Sequence, residues 1–289
     1  MISQISIMLA FFAMFSWGVG DFLIQKVTRK VVDLETLTWI GIFGSILLIP
    51  FIWNDMRLLL IPGNFILVSV LGIVTFIAAM FNFESLREGK ISVVDVVLEI
   101  ELPVTVLLGF VFLGETLTTL QAIIALFILC GIMLIATKSL SHFRAKIERG
   151  VILALIASVF MGFVNFLTGV SSKEINPLMA IWAPWVVFTM ICLVVILFRE
   201  GPENLIKNAS QNKILILSMG LLDTAAWIFY SFAVHDYEIS IVTAITESFP
   251  AVALLLGVFI NKEKIMKHQW IGVALALACS VLLALTVRG

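Results

Sequence analysis

ISVVDVVLEIELPVTVLLGFVFLGETLTTLQ, Ile91–Gln121, and ISIVTAITESFPAVALLLGVFINKEKIMKHQ, Ile239–Gln269, are two versions of one segment set 148 positions apart. Leucine meeting leucine says little in apolar runs. Ser92/Ser240, Glu99/Glu247, Gly109/Gly257, Glu115/Glu263 and Gln121/Gln269 instead pair uncommon letters at a single offset. The match continues without a gap from 66–137 onto 214–285, where Gly72 meets Gly220. Upstream the offset becomes 144, so that Leu9, Gly18, Asp21 and Phe22 fall on Leu153, Gly162, Asn165 and Phe166. The chain reads as a duplication, with units expected over 1–142 and 143–289.

Each unit is too apolar for water. Hydrophobic residues make up 61% of the chain, charged residues 13%, and the mean hydropathy is +1.14, the composition of a polytopic membrane protein. Apolar stretches of about 20 residues, the length that crosses roughly 30 Å of hydrocarbon as a helix, fall at 3–26, 34–53, 64–86, 91–113, 117–137, 151–172, 177–198, 214–235, 239–260 and 266–286. They lack the period-2 alternation of a barrel strand, and a spanning segment must satisfy its own backbone, so helices are chosen. The expected fold is all-α, ten transmembrane helices as two inverted five-helix repeats. Met1–Met8 holds no Lys or Arg and the first apolar segment is too long for a leader's h-region, so it is expected to remain as helix 1. Cys130, Cys192 and Cys279 lie inside spans and read as packing residues.

An odd number of helices per unit turns the second copy upside down, and basic residues should then change sides between equivalent loops. They do. Lys26, Arg29 and Lys30 follow helix 1, whereas Lys173 alone follows helix 6. Arg87 and Lys90 follow helix 3, and their copies are His235 and Glu238. The loop after helix 4 has no basic residue, while Lys262, Lys264 and Lys267 follow helix 9. Fifteen of the 18 Lys and Arg residues fall in odd-numbered loops, which are therefore expected in the cytoplasm, with both termini outside. The sequon at Asn208 falls in such a loop and reads as chance. Inverted repeats of this kind enclose a substrate site near the bilayer midplane and exchange its access by trading conformations.

The junction of each fourth and fifth helix, Leu107-Leu-Gly-Phe-Val-Phe-Leu-Gly-Glu115 with Gln121 and its copy Leu255-Leu-Gly-Val-Phe-Ile-Asn-Lys-Glu263 with Gln269, resembles the drug/metabolite transporter superfamily in its EamA-type branch. The likeness covers nearly the whole chain. Glu101 stands where that family carries a Glu-Pro pair, although Pro103 comes one place late, and Asn261-Lys262 replaces Leu-Gly. The resemblance implies a ten-helix secondary transporter, most often an exporter of amino acids or other small metabolites. It also implies cytoplasmic termini, opposite to the loop charges.

Carboxylates occur inside the spans without basic partners. Asp95 and Glu99 share a face of helix 4 at i, i+4; helix 9 repeats the Glu as Glu247 and puts Thr243 in place of the Asp. Asp21 in helix 1, one turn after Trp17, is matched by Asn165 in helix 6. Asp223, Trp227 and Tyr230 form a stripe on helix 8, matched on helix 3 by Thr75, Ala79 and Asn82. An ionised group at mid-helix costs about 2.5–3.5 kcal/mol, so Asp95, Glu99, Asp223 and Glu247 facing lipid would cost roughly 10 kcal/mol together. They must line a cavity or carry protons. Glu101 points about 200° away from Glu99 around an unbroken helix and reads as packing beside Pro103. Pro103 and Pro250 each leave a carbonyl four residues earlier unpartnered, which suits a hinge. Glu115 and Glu263, at helix ends, read as structural. Trp182 and Trp185 fit interface anchors or cavity walls. Gly272, Ala276, Ser280 and Ala284 form a small-residue stripe on helix 10, fitting either a homodimer seam or a neighbouring helix.

The function expected is proton-coupled export of a small organic cation or basic amino acid by alternating access in the cell (inner) membrane. Carboxylates that bind either a proton or the substrate make the two exchange, and Trp17, Trp227 and Tyr230 add cation–π attraction. A neutral or zwitterionic metabolite is the alternative, and a sensor, scaffold or channel is a further one. No metal-ligand cluster, Gly-rich phosphate loop, or Ser/His pair within a span suggests an enzyme, a cofactor or a nucleic-acid partner; the small-molecule substrate and the lipid bilayer are the expected partners.

Overall fold

The computed structural model describes residues 2–27, 33–88, 94, 97–137, 149–199, 202–262 and 264–287. Among them are α1 (Ile2–Val27), α2 (Asp33–Ile52), α3 (Pro62–Glu88), α4 (Glu101–Leu113), α5 (Thr119–Ala136), α6 (Arg149–Glu174), α7 (Met179–Arg199), α8 (Pro202–Asp236), α9 (Ile239–Thr246), α10 (Phe249–Asn261) and α11 (Lys267–Thr286), with a 3-10 turn at Met56–Leu60 and no strand. Among the described residues, eight helical stretches are long and apolar enough to span a bilayer, α9 and α10 counting as one, and the shorter Leu37–Ile52 and Glu101–Leu113 fall within the second and fourth expected spans. Apolar side chains cover the outside, Phe198 being 86% exposed and Phe259 72%, while Thr38, Ser85, Thr105, Ser172, Ser231, Thr243 and Ser248 are buried. That distribution is the reverse of a water-soluble core and belongs to a chain whose outer solvent is lipid.

The inverted repeat is visible in the packing. α1 packs on α8 and α3 on α6; α2 packs on α8 and α3 on α7; α1 packs on α10 and α4 on α6. Each pair is the image of the other when the first helix of one unit is exchanged for the first helix of the second. α2 on α7 and α5 on α11 are their own images. Two matched glycines allow the last of these pairs to approach closely. A Cβ at Gly18 would lie 2.9 Å from Phe249 O and 2.5 Å from Val252 Cβ, and one at Gly162 3.1 Å from Glu101 O and 2.7 Å from Val104 Cβ. The four contacted residues are themselves repeat mates.

The other matched letters are stops and starts. α5 opens with a capping box, Gln121 N donating to Thr118 Oγ1 (3.3 Å) and Thr118 N to Gln121 Oε1 (2.9 Å), and Met266 N donates to Gln269 Oε1 (2.9 Å) at the start of α11. α4 ends on Gly114 at φ 64°, and α10 on its mate Lys262 at φ 57°. Gly adopts this left-handed turn freely, whereas a Cβ costs about 1–2 kcal/mol, so the Asn261-Lys262 departure strains one repeat at the point where the other is relaxed.

One expectation changes. The segment before span 8 is helical: Pro202, whose missing N–H costs nothing at a helix start, opens a 35-residue α8 that runs directly into the span. Of the two readings of the small-residue stripe, packing against a neighbouring helix of the same chain is the one observed. A Cβ at Gly272 would meet Gly131 O at 2.6 Å, one at Gly131 would meet Ala276 N at 2.8 Å, and Gly272, Ala276 and Ser280 are buried. Backbones this close leave no room for a second copy. The boundary expected at 142/143 lies outside the described residues.

Candidate functional site

The fourth span of each unit is broken at one register. Ile100 N donates to Val97 O (3.1 Å), and the mate of this bond, Ser248 N to Ile245 O, is 3.2 Å long; both are tight i to i−3 turns in place of helical bonds. New helices then start at Glu101 and Phe249. Pro103 and Pro250 stand in their first turns, where a missing N–H is harmless. Ser248 Oγ is held against Ser280 Oγ of α11 (2.7 Å).

The break decides which carboxyls meet. Glu247, 4% exposed, faces Glu101 within hydrogen-bonding reach, accepts from Asn165 Nδ2 at 3.4 Å, and has Glu99 as an electrostatic neighbour. Glu101 was expected to point away. The turn at 99–100 resets the helical phase, so the angle counted along an unbroken helix does not apply. Its signal in the sequence was the family position of a Glu there. Asn165, on α6, stands with the pair. Tyr230 closes the cluster: its hydroxyl donates to Asn165 O (3.3 Å) and accepts from Thr243 Oγ1 (2.8 Å). Asp95 and Glu263 lie outside the described residues, as does the side chain of Asp21, whose backbone belongs to α1.

Above this cluster lies an aromatic wall. Trp17 and Trp227 meet edge to face at 5.0 Å, and Tyr230 lies 5.6 Å from Trp17 and 5.7 Å from Trp227. The Trp17 indole hydrogen-bonds Asp223. Behind the wall, between α2, α3, α6, α7 and α8, is a cavity of ≈ 170 Å³ whose lining includes Asp223, Trp227, Asn82, Thr75, Met161 and Trp185. Thr75 and Asp223, and Ala79 and Trp227, are repeat mates that both line it, so the cavity lies at the pseudo-two-fold between α3 and α8. Asp223 and Trp227 of the stripe on helix 8 thus face one space with Thr75, Ala79 and Asn82 on helix 3, and Trp185 is a cavity wall. Trp182 is also inside, donating from Nε1 to Ser45 O (3.0 Å). Trp185 reaches the cavity because α2 is notched: a Cβ at Gly44 would overlap its ring.

On the face carrying the even-numbered loops the two units are tied together. Glu115, 8% exposed, accepts from Ile239 N (2.7 Å), Ser240 N (2.9 Å) and Ser240 Oγ (2.6 Å), capping α9 from the opposite unit, with Lys173 Nζ at 3.7 Å. A carboxylate on a helix N-terminus meets both unpaired N–H groups and the positive end of the dipole. Gly109 makes the space, since a Cβ there would lie 2.6 Å from Glu115 Oε2. Three of the matched letters, Gly109, Glu115 and Ser240, are thus one contact. Beside it, Ser172 Oγ meets Ser231 Oγ, Ser231 Oγ donates to Pro177 O (2.7 Å), and His235 Nδ1 bonds Ser172 O (2.6 Å). Burial, then Glu115, push the Glu238 carboxyl above its ordinary range, with Lys173 opposing.

Comparison with known proteins agrees with this architecture. An uncharacterized transporter of Pseudomonas aeruginosa, PA0485, is 28% identical over 141 residues, and the match spans 46% of this chain and 45% of that one. A solved crystal structure superposes with a TM-score of 0.75 at 14% identity, covering 98% of this chain and 99% of that one, a likeness of fold alone. The EamA-like transporter family model matches twice, over 4–137 and 148–285, once for each unit read from the sequence. With nine-tenths of its length so matched, the chain belongs to the EamA-like transporter family.

Proposed function

We propose that this membrane transporter is a proton-coupled exporter of a small organic cation or basic amino acid, working by alternating access in the cell membrane with its odd-numbered loops in the cytoplasm. The observation that carries the reading is the company of the buried acids. Among the described residues, Glu247 has Glu101, Glu99 and Asn165 beside it, and the cavity lining has Asp223 but no Lys, Arg or His. Two carboxyls within hydrogen-bonding reach hold one proton between them, because like charges so close do not both ionise. Asp223 and the faces of Trp227 and Trp185 offer a cation an opposite charge and cation–π attraction of about 0.5–2 kcal/mol.

The coupling follows from the broken helices. Glu101 begins α4 and Glu247 ends α9, so losing the shared proton puts two repelling charges on opposite sides of the repeat interface. Separation of the units relieves that repulsion, and the first turns at Pro103 and Pro250 serve as hinges. Outward movement of one positive charge opposes about 2.3 kcal/mol per 100 mV, which inward movement of one proton offsets.

The test is uptake into proteoliposomes of cationic, zwitterionic and anionic metabolites at opposite pH gradients. Cation exchange should follow the gradient in the wild type, and Glu247→Gln combined with Glu101→Gln should abolish its pH dependence. Preference for anions, or pH-driven exchange surviving in the double variant, overturns the proposal.

A further inference from the structure

Thr75 Oγ1 donates its only proton to Leu71 O (2.8 Å), so toward the cavity it can only accept. Asn82 Oδ1 is buried with no hydrogen-bond partner. Asp223 is an acceptor when ionised, and the Trp17 indole N–H is already directed to it. These three residues, on two helices exchanged by the pseudo-two-fold, line one cavity, and a buried orphan carbonyl oxygen asks for a donor from whatever enters. Most of the remaining lining is apolar or aromatic, Ile40, Phe188 and Trp185 among it.

We infer that the substrate is a small amine with an apolar body and no carboxylate, its ammonium bound by Asp223 and Thr75 Oγ1. An ammonium has three donors and no acceptor, so it suits a carboxylate and a hydroxyl oxygen that can only accept, while Asn82 Oδ1, two turns further along α3, adds a separate acceptor to the lining. A carboxylate would enter a space in which no Lys, Arg or His of the lining can neutralise it, and a buried unpaired charge is strongly disfavoured. The volume of ≈ 170 Å³ is that of roughly six liquid waters, below the range of drug-sized pockets. The inference rests on the cation reading above and narrows it by removing basic amino acids.

The test is isothermal titration of the full-length protein in lipid nanodiscs with phenethylamine, phenylalanine and phenethyl alcohol, which share one body. Phenethylamine should bind at least about tenfold more tightly than either of the others, the discrimination expected of a site built around a hydrogen-bonded group. Asp223→Asn should lower its affinity by about tenfold or more and Thr75→Val by a smaller factor; Thr75→Val keeps the side-chain shape and so serves if Asp223→Asn is poorly folded. Phenylalanine binding as tightly as phenethylamine overturns the inference while leaving proton coupling intact, as does unchanged amine affinity in both variants. Selective amine binding together with exchange that ignores the pH gradient has the opposite meaning: the inference stands and the coupling reading falls.

Discussion

Replacing Glu115 by Ala removes the tie between the two units on the even-loop face, and its cost can be worked from the contacts. The carboxylate accepts three hydrogen bonds at 2.6–2.9 Å from Ile239 N, Ser240 N and Ser240 Oγ. After truncation two backbone N–H groups and a hydroxyl lose their partner, at about 1–3 kcal/mol for each group that stays buried. The favourable charge on the α9 N-terminus goes as well, worth about 0.3–1 kcal/mol at a surface and up to ~2 when partly buried. The hydroxyl can turn to another acceptor, so about 4 kcal/mol is expected for Glu115→Ala and about half for Glu115→Gln, which keeps one acceptor oxygen. By the usual slope for chains of this size, Glu115→Ala should lower the unfolding midpoint in detergent by roughly 8–15 °C. A double-mutant cycle with Ser240→Ala isolates the direct part, expected at 1–2 kcal/mol in the range of contacting pairs. An unchanged midpoint in Glu115→Ala, or a coupling near zero, would refute the argument that this carboxylate joins the units.

Two other substitutions test the packing. Lys262→Gly relieves the left-handed turn at φ 57° and should stabilise the protein by about 1 kcal/mol, read as a rise in the same midpoint; a fall would mean that the lysine side chain contributes more than its backbone costs. Gly272→Val places a Cβ 2.6 Å from Gly131 O and 3.0 Å from Ile135 N, backbone atoms that cannot yield cheaply, and should destabilise by about 3 kcal/mol or more. Its oligomeric mass in detergent should be that of the wild type; dissociation of a dimer at unchanged midpoint would restore the stripe as an intermolecular seam.

Much of this was legible because it depends on local or repeated information. Apolar length reports a helix in lipid, and rare letters repeated at 148 positions report the duplication whatever the fold. Asp223, Trp227 and Tyr230 fell on one stripe because α8 is unbroken there, so counting 100° per residue holds. The same counting failed at Glu101, where two turn residues intervene. Glu115 was read as structural from its place at a helix end, but its partner, the N-terminus of α9, is 124 residues away.

The sequence by itself determined the class of molecule, the two inverted units and the presence of acids inside their spans, since hydropathy, repeat register and loop charge are properties of the chain as written. Only the tertiary structure decided that Glu101 stands against Glu247, that Thr75, Asn82 and Asp223 share a cavity, and that the glycine stripe of α11 is spent on α5. Each of these is a meeting between residues far apart in sequence. Such meetings depend on where a helix breaks and how closely two backbones can approach, and neither is encoded in the periodicity of any one segment.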